Sequence, residues 1–160
     1  MLTYKLVHLI EYHSTRLAAG LVTRVQMSER AGSYRQVSPA ELQKTVGEIY
    51  SSLGTWLLSK SAAEVERRYT AIGARRREQG VPLSELVWVI ALTKRNLCEF
   101  IDDVSLPGRA VEVEERHELA TLLDQFFDEA VHAAVMGYEW ASEHPEKEET
   151  GGNGDARKAS

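Results

Sequence analysis

Five histidines and a scatter of carboxylates are the residues of this 160-residue chain that could do acid–base or metal chemistry. Glu114 and His117 have the Glu-x-x-His spacing by which helices of di-iron carboxylate bundles present ligands to a metal pair. Such a centre needs a second copy and further glutamates on facing helices, and the sequence holds no second copy. Glu114, Glu115 and Glu118 together read as a solvated helix face. His8, Glu11 and His13 lie close in sequence, but positions 8 and 13 point to different sides of a helix. His13 instead falls on an apolar line with Leu6, Ile10, Leu17 and Leu21, the usual setting of a core histidine. The expectation is therefore no metal and no cofactor. A di-iron type enzyme using Glu114, His117 and residues of the first helix stands as an alternative.

Nucleophilic catalysis finds no support. There is no Gly-x-Ser-x-Gly elbow, and Cys98 lies inside a helical stretch beside Lys94, Arg95 and Glu99, away from a helix start that would activate its thiol. The run Gly151, Gly152, Asn153, Gly154 precedes no helix, so it is not a phosphate loop. The basic cluster Arg67, Arg68, Arg75, Arg76 and Arg77 admits three readings: nucleic acid, an anion or acidic partner, and a solvated face, the last being the default. Arg76 differs from the rest because it continues the apolar face of Val65, Tyr69 and Ile72. Its head either meets a carboxylate or carbonyl inside, or snorkels to water along its stem, which is the commoner outcome.

The elements that must position these residues are helical throughout. Apolar residues recur at spacings of three and four in five stretches, and none shows the alternation of a strand. The first runs from Leu2 to Ser28. The second opens with Ser38, Pro39 and Glu41, an N-cap serine, proline at the first position and glutamate three after the cap. Leu42, Val46, Ile49, Leu53, Trp56 and Leu57 follow. Ser61 and Glu64 form another such start, for a helix that Gly80 is placed to stop. Pro82 and Ser84 open the fourth helix, which reaches Val104. Ser105 to Gly108 reads as a turn, and the fifth helix runs from Ala110 to Ser142. The fold expected is all-α, a five-helix bundle over residues 1–142.

The fifth helix is apolar on more than one side. Phe127, Val131 and Val135 form a second line beside its core stripe, as Trp88, Val89 and Leu92 do on the fourth. That pattern fits either a helix at the centre of the bundle or a homodimer interface on Phe127, Val131 and Val135. From Glu143 the composition turns to Glu, Lys, Gly, Asn and Asp, which reads as a disordered acidic tail over 143–160.

Composition narrows the function classes. With 43% hydrophobic and 27% charged residues and a net charge of −5, the chain is an ordinary globular domain with no concentrated basic surface for nucleic acid. One cysteine rules out an intrachain disulfide and suits a reducing cytoplasm. No uninterrupted apolar run is present at the N-terminus, so neither a secretory signal nor a membrane span is expected.

The stretch Tyr69 to Leu83, with Gly73, Arg75, Gly80, Val81 and Leu83, and the amphipathic helix after it resemble the N-terminal domains of the RsbR-type co-antagonist family. The similarity extends loosely from Val37 to Gly137. The resemblance implies a helical regulatory domain of bacterial stress-response signalling, non-catalytic, dimeric and joined to a protein partner. Some members of the wider group are non-haem globins, which implies a globin-like form of the bundle. The same junction is similar to the proximal-histidine region of globin-coupled sensors. Arg76 stands where their histidine would be, so a haem would lack its axial bond. What the resemblance carries over is the helical fold with a cavity, or a filled remnant of one, between the third and fourth helices near Arg76, Tyr69 and Trp88, with Arg76 the residue that would meet an anionic ligand. His13 is added to these as a ligand-binding candidate. The family's usual output domain is not in this sequence, which leaves direct control of a kinase or promoter in doubt. A purely structural dimerisation unit is a further reading.

Overall fold

The computed structural model describes residues 3–59, 62–104 and 110–145. Among them lie seven α-helices and one 3-10 segment, and no strand. The helices are α1 (Thr3–Tyr12), α2 (Ser14–Met27), α3 (Pro39–Ser51), α4 (Leu53–Ser59), α5 (Ala62–Glu78), α6 (Leu83–Val104) and α7 (Ala110–Glu143); the 3-10 segment is Glu29–Gln36, between α2 and α3. The expected turn at 105–108 and the tail beyond 145 fall outside the described residues, as does Ser61.

Five expected helices become seven because the first two are bent. At His13 the backbone takes φ −95° and ψ 14°, and at Ser52 φ −104° and ψ 3°, both in the sparsely populated bridge region. The bends match one another. α2 packs along α3, while α1 packs on α4, so two bent helices lie side by side and both distal halves reach α7. Backbone groups at the second bend find partners: Ser52 N donates to Glu48 O, and Gly54 N at the start of α4 donates to the Glu11 carboxylate of α1 at 2.8 Å. A carboxylate at a helix start is favoured by charge as well as by the bond.

The start and stop signals act as their chemistry dictates. Ser38 Oγ accepts from Glu41 N at 3.0 Å and Pro39 follows at the first helical position. Only half of the capping box forms, because the Glu41 carboxylate is drawn to α5. Gly80 has φ +77°, with Gly80 N donating to Arg77 O and Val81 N to Arg76 O, the paired bonds of a Schellman stop. Val81 is fully buried behind it, and its carbonyl accepts from Tyr138 Oη at 2.7 Å.

The most intimate contact joins α5 and α7, which run in the same direction. Tyr69 meets Phe126 near the start, Gly73 meets Ala134 midway, and Arg77 reaches Tyr138 and Ser142 at the end. A methyl group at Gly73 would lie 1.9 Å from Ala134 O, and one at Gly137 would lie 2.0 Å from Thr70 O. Glycine at both positions is what lets the two backbones touch. Phe126 closes the lower part of this seam, stacked on Trp56 at 5.7 Å and edge-on to Phe127 at 5.1 Å.

Candidate functional site: a buried arginine junction

Of the buried polar and charged residues, Thr93 and Asn96 lie on α6, Glu115 lies on α7, and Arg76 lies where the end of α5 meets the start of α3 and the 3-10 segment. Arg76 is 2% exposed there. The snorkelling expected as the commoner outcome does not occur, and the alternative holds: the head is inside and paired. Its Nη1 donates to Gln79 Oε1 at 2.8 Å and stands 3.7 Å from Glu41 Oε2. Gln79 completes the bridge by donating Nε2 to Glu41 Oε2 at 2.6 Å. The guanidinium lies 5.7 Å from the centre of the Tyr34 ring, and its Nε has no hydrogen-bond partner. A buried cation so arranged leaves the fold little choice of register, since moving any partner strands a charge.

The electrostatics follow from that packing. Burial pushes the Tyr34 phenol up to about 12 against the opposing pull of Arg76, so it stays neutral at any ordinary pH. Burial would also raise the Glu41 carboxyl, but bonds from Gln79 and Arg75 and the charge of Arg76 outweigh it and hold Glu41 below its usual range.

Arg67, Arg75 and Arg77 are exposed and Arg68 half-buried, in keeping with the solvated face expected by default, though most of them carry ties across that surface. Arg68 pairs with Glu48 at 2.5 Å and Arg75 with Glu41 at 3.0 Å, both carboxylates on α3, while Arg77 donates to Ser142 on α7. Arginines spread round α5 thus reach two neighbouring helices across the surface, Arg68 and Arg75 to α3 and Arg77 to α7. Glu115, expected on a solvated face, is instead buried, with Oε1 unpartnered.

Tyr69, Arg76 and Trp88, expected around one pocket, and the further candidate His13 each have different surroundings. Tyr69 is buried against Phe126 with its hydroxyl unpartnered, two turns back from Arg76. Trp88 on α6 donates Nε1 to Ser28 Oγ at 3.0 Å and lies under Arg30 and Arg95, 4.8 and 5.5 Å from its ring centre. His13 sits at the bend between α1 and α2, edge-on to Tyr12 and Phe100. α5 touches α6 far less than it touches α7. A cavity of about 480 Å³ lies instead between α2, the 3-10 segment and α3, with Tyr34 and Ser28 in its lining. Sequence reasoning missed Tyr34, Glu41 and Gln79 as Arg76's partners. The signal available was that an arginine on an apolar face requires an acid, and Glu41 lies in the first turn of α3.

On the apolar second line of α7, Phe127 is 3% exposed within the single chain. Val131 and Val135 are half-buried, and Met136 and Trp140 are exposed beside them. Glu114 and His117 face solvent, and among the described residues no three His, Cys, Asp or Glu groups converge as a metal site would need. The Cys98 thiol is raised by burial, with Lys94 opposing, and so is not activated. Among the described residues no helix is long and apolar enough to cross a membrane.

No curated protein and no solved structure matches the chain. One family does, described as the RsbT co-antagonist protein rsbRD N-terminal domain, over residues 15–149. That span takes in α2 to α7 and the whole Tyr69–Leu83 junction with its locked arginine. The chain therefore belongs to the RsbT co-antagonist rsbRD N-terminal domain family.

Proposed function

We propose that this chain is a non-catalytic regulatory domain of bacterial stress-response signalling, which acts in the cytoplasm as a homodimer and controls a protein partner. The family membership carries the reading: its description is of a co-antagonist of RsbT, so the partner class is a signalling protein of the RsbT kind. The architecture is in keeping with it. The polar groups of the junction are engaged in holding α3, α5 and the 3-10 segment together, and none is arranged as nucleophile and base. Half-buried Val131 and Val135, with exposed Met136 and Trp140 on the same stretch of α7, support a second copy docking there.

The test is a titration of the purified chain against RsbT from the same organism by calorimetry, with mass by light scattering and an absorbance spectrum on the same sample. A colourless dimer that binds RsbT is the expected result. A monomer without affinity for RsbT would refute the reading. A Soret band or tightly held iron would replace it with a haem sensor or the di-iron alternative.

A further inference from the structure

The cavity beneath the 3-10 segment has the size and lining of a ligand site. Its volume of about 480 Å³ falls within the range of roughly 300–1,000 Å³ typical of small-molecule pockets. Val22 and Val25 of α2 and Leu42 of α3 give it apolar walls, and Tyr34 and Ser28 supply hydrogen-bonding groups. Ser28 Oγ already accepts from Trp88 Nε1, which leaves its own proton to donate. Tyr34 is neutral and buried. The two charged residues of the lining, Arg35 and Glu29, are of opposite sign. Arg76 is not in the lining; it lies near the Tyr34 ring and reaches its hydroxyl, which can accept from it and still donate, and its charge is met by Glu41. Nothing here selects for a net charge.

We propose that this cavity binds a small uncharged amphiphile: an apolar body with one hydroxyl or carbonyl group that bonds to Tyr34 and Ser28. The 3-10 segment is the element such a ligand would load. It bends at Ala31, whose φ of −122° and ψ of 32° are not helical. Polar ties hold it to α6: Glu85 accepts from Ser33 N at 2.9 Å and from Ser33 Oγ at 3.1 Å, and Trp88 bonds to Ser28. Tyr34, on the same segment, also contacts the Arg76 junction. An occupant therefore bears on α6 through Ser28 and Ser33 and on α5 through Tyr34. This deepens the regulatory reading by placing the point at which a signal enters, yet the two stand or fall separately.

The experiment is a proton–nitrogen correlation spectrum of the full chain titrated with 1-octanol, and with octanoate as its charged counterpart. Octanol is expected to shift the amides of residues 31–37, Val25 and Leu42 and the Trp88 indole, with octanoate at least tenfold weaker. Val25→Phe, which fills the cavity, should weaken octanol at least tenfold while the spectrum stays dispersed; Val22→Ile serves as a gentler filling if the larger ring unfolds the chain. Shifts scattered over other surfaces, no shifts at all, a preference for octanoate, or octanol binding undiminished in a folded filled variant would each overturn the proposal. Octanol binding at this site in a chain that ignores RsbT would uphold the pocket and sink the regulatory reading alone.

Discussion

Replacing Gly73 by alanine tests the α5–α7 seam most directly. In an open helix interior this change stabilises by about 1 kcal/mol, because alanine loses less backbone freedom than glycine. Here the added methyl would sit 1.9 Å from Ala134 O, 2.8 Å from Ala134 C and 3.0 Å from Tyr138 N, all backbone atoms that cannot turn aside. Restoring ordinary contact requires the helices to part by about 1.5 Å, and gaps of ~0.5–1 Å already forfeit a quarter to a half of the dispersion energy at each contact. Overpacking of this kind costs ~1–3 kcal/mol or more. With the propensity gain set against the upper end, the net loss is about 2 kcal/mol, or a fall in Tm of roughly 4–8 °C for a domain of this size. Gly47 on α3 is the internal control: a methyl there would lie 3.8 Å from Ala18 Cβ, an ordinary contact, so Gly47→Ala should raise Tm by about 1–4 °C. Calorimetric melting of the two variants beside the parent settles the matter. Equal stabilisation by both would mean that the two backbones do not touch at Gly73.

Other outcomes follow from the same packing. Gly137→Ala should be as harmful as Gly73→Ala, and the double variant less harmful than the two losses added, since helices already parted accept the second methyl; denaturant melts of all three check this. Arg76→Lys, though it keeps the charge, should lower stability by about 1–3 kcal/mol because the ammonium loses the guanidinium's packing on the Tyr34 ring and the placement of Nη1 between Gln79 and Glu41, and Gln79→Leu should cost about 1–3 kcal/mol by cutting both bonds of the bridge. The Glu41 carboxyl is held low in the fold, so its contribution is complete above the ordinary glutamate value of about 4.3 and is lost as pH falls through the lower folded value. Tm measured between about pH 5 and 3 should therefore drop less steeply in Glu41→Gln than in the parent. Asn96 donates to Leu17 O at 3.0 Å and to Tyr50 Oη at 3.3 Å in the core; Asn96→Ala should cost about 1–3 kcal/mol in a urea melt, and a neutral result would dismiss that network.

Much of the fold was legible in residue spacing, and what was not has physical causes. Ser38, Pro39 and Gly80 marked helix ends because each acts through its own backbone, with no need of a distant partner. The bends at His13 and Ser52 were hidden, for neither holds a proline, although Ser51, Ser52 and Gly54 together were a cue to the second. Those bends are set by tertiary contact, as the bond from Gly54 to Glu11 shows, and periodicity within one helix cannot register it. Arg76 was legible as an anomaly on an apolar face, but its environment was not: Glu41 and Gln79 reach it only because α3 and α5 cross there. The surroundings of the pocket candidates differ for a similar reason. Tyr69, Arg76 and Trp88 are neighbours in sequence order of helices, yet α5 turns its apolar face to α7 and leaves α6 aside. Phe127, apolar on the second side of α7, proved interior because α7 is flanked by α5, α6 and the distal halves of both bent helices.

The two glycines of the seam also fix how force can travel through the domain. Touching backbones at Gly73 and Gly137 make a fulcrum near one end of α7, with no flexible side chains between to absorb a tilt. From that fulcrum back to Ala110 the helix extends about 40 Å at 1.5 Å per residue. A tilt of about 10° there would carry the far end by roughly 7 Å. Because α6, α1 and α4 also pack along that length, such a tilt would have to displace all three, so the seam couples the position of α5 to the far side of the bundle.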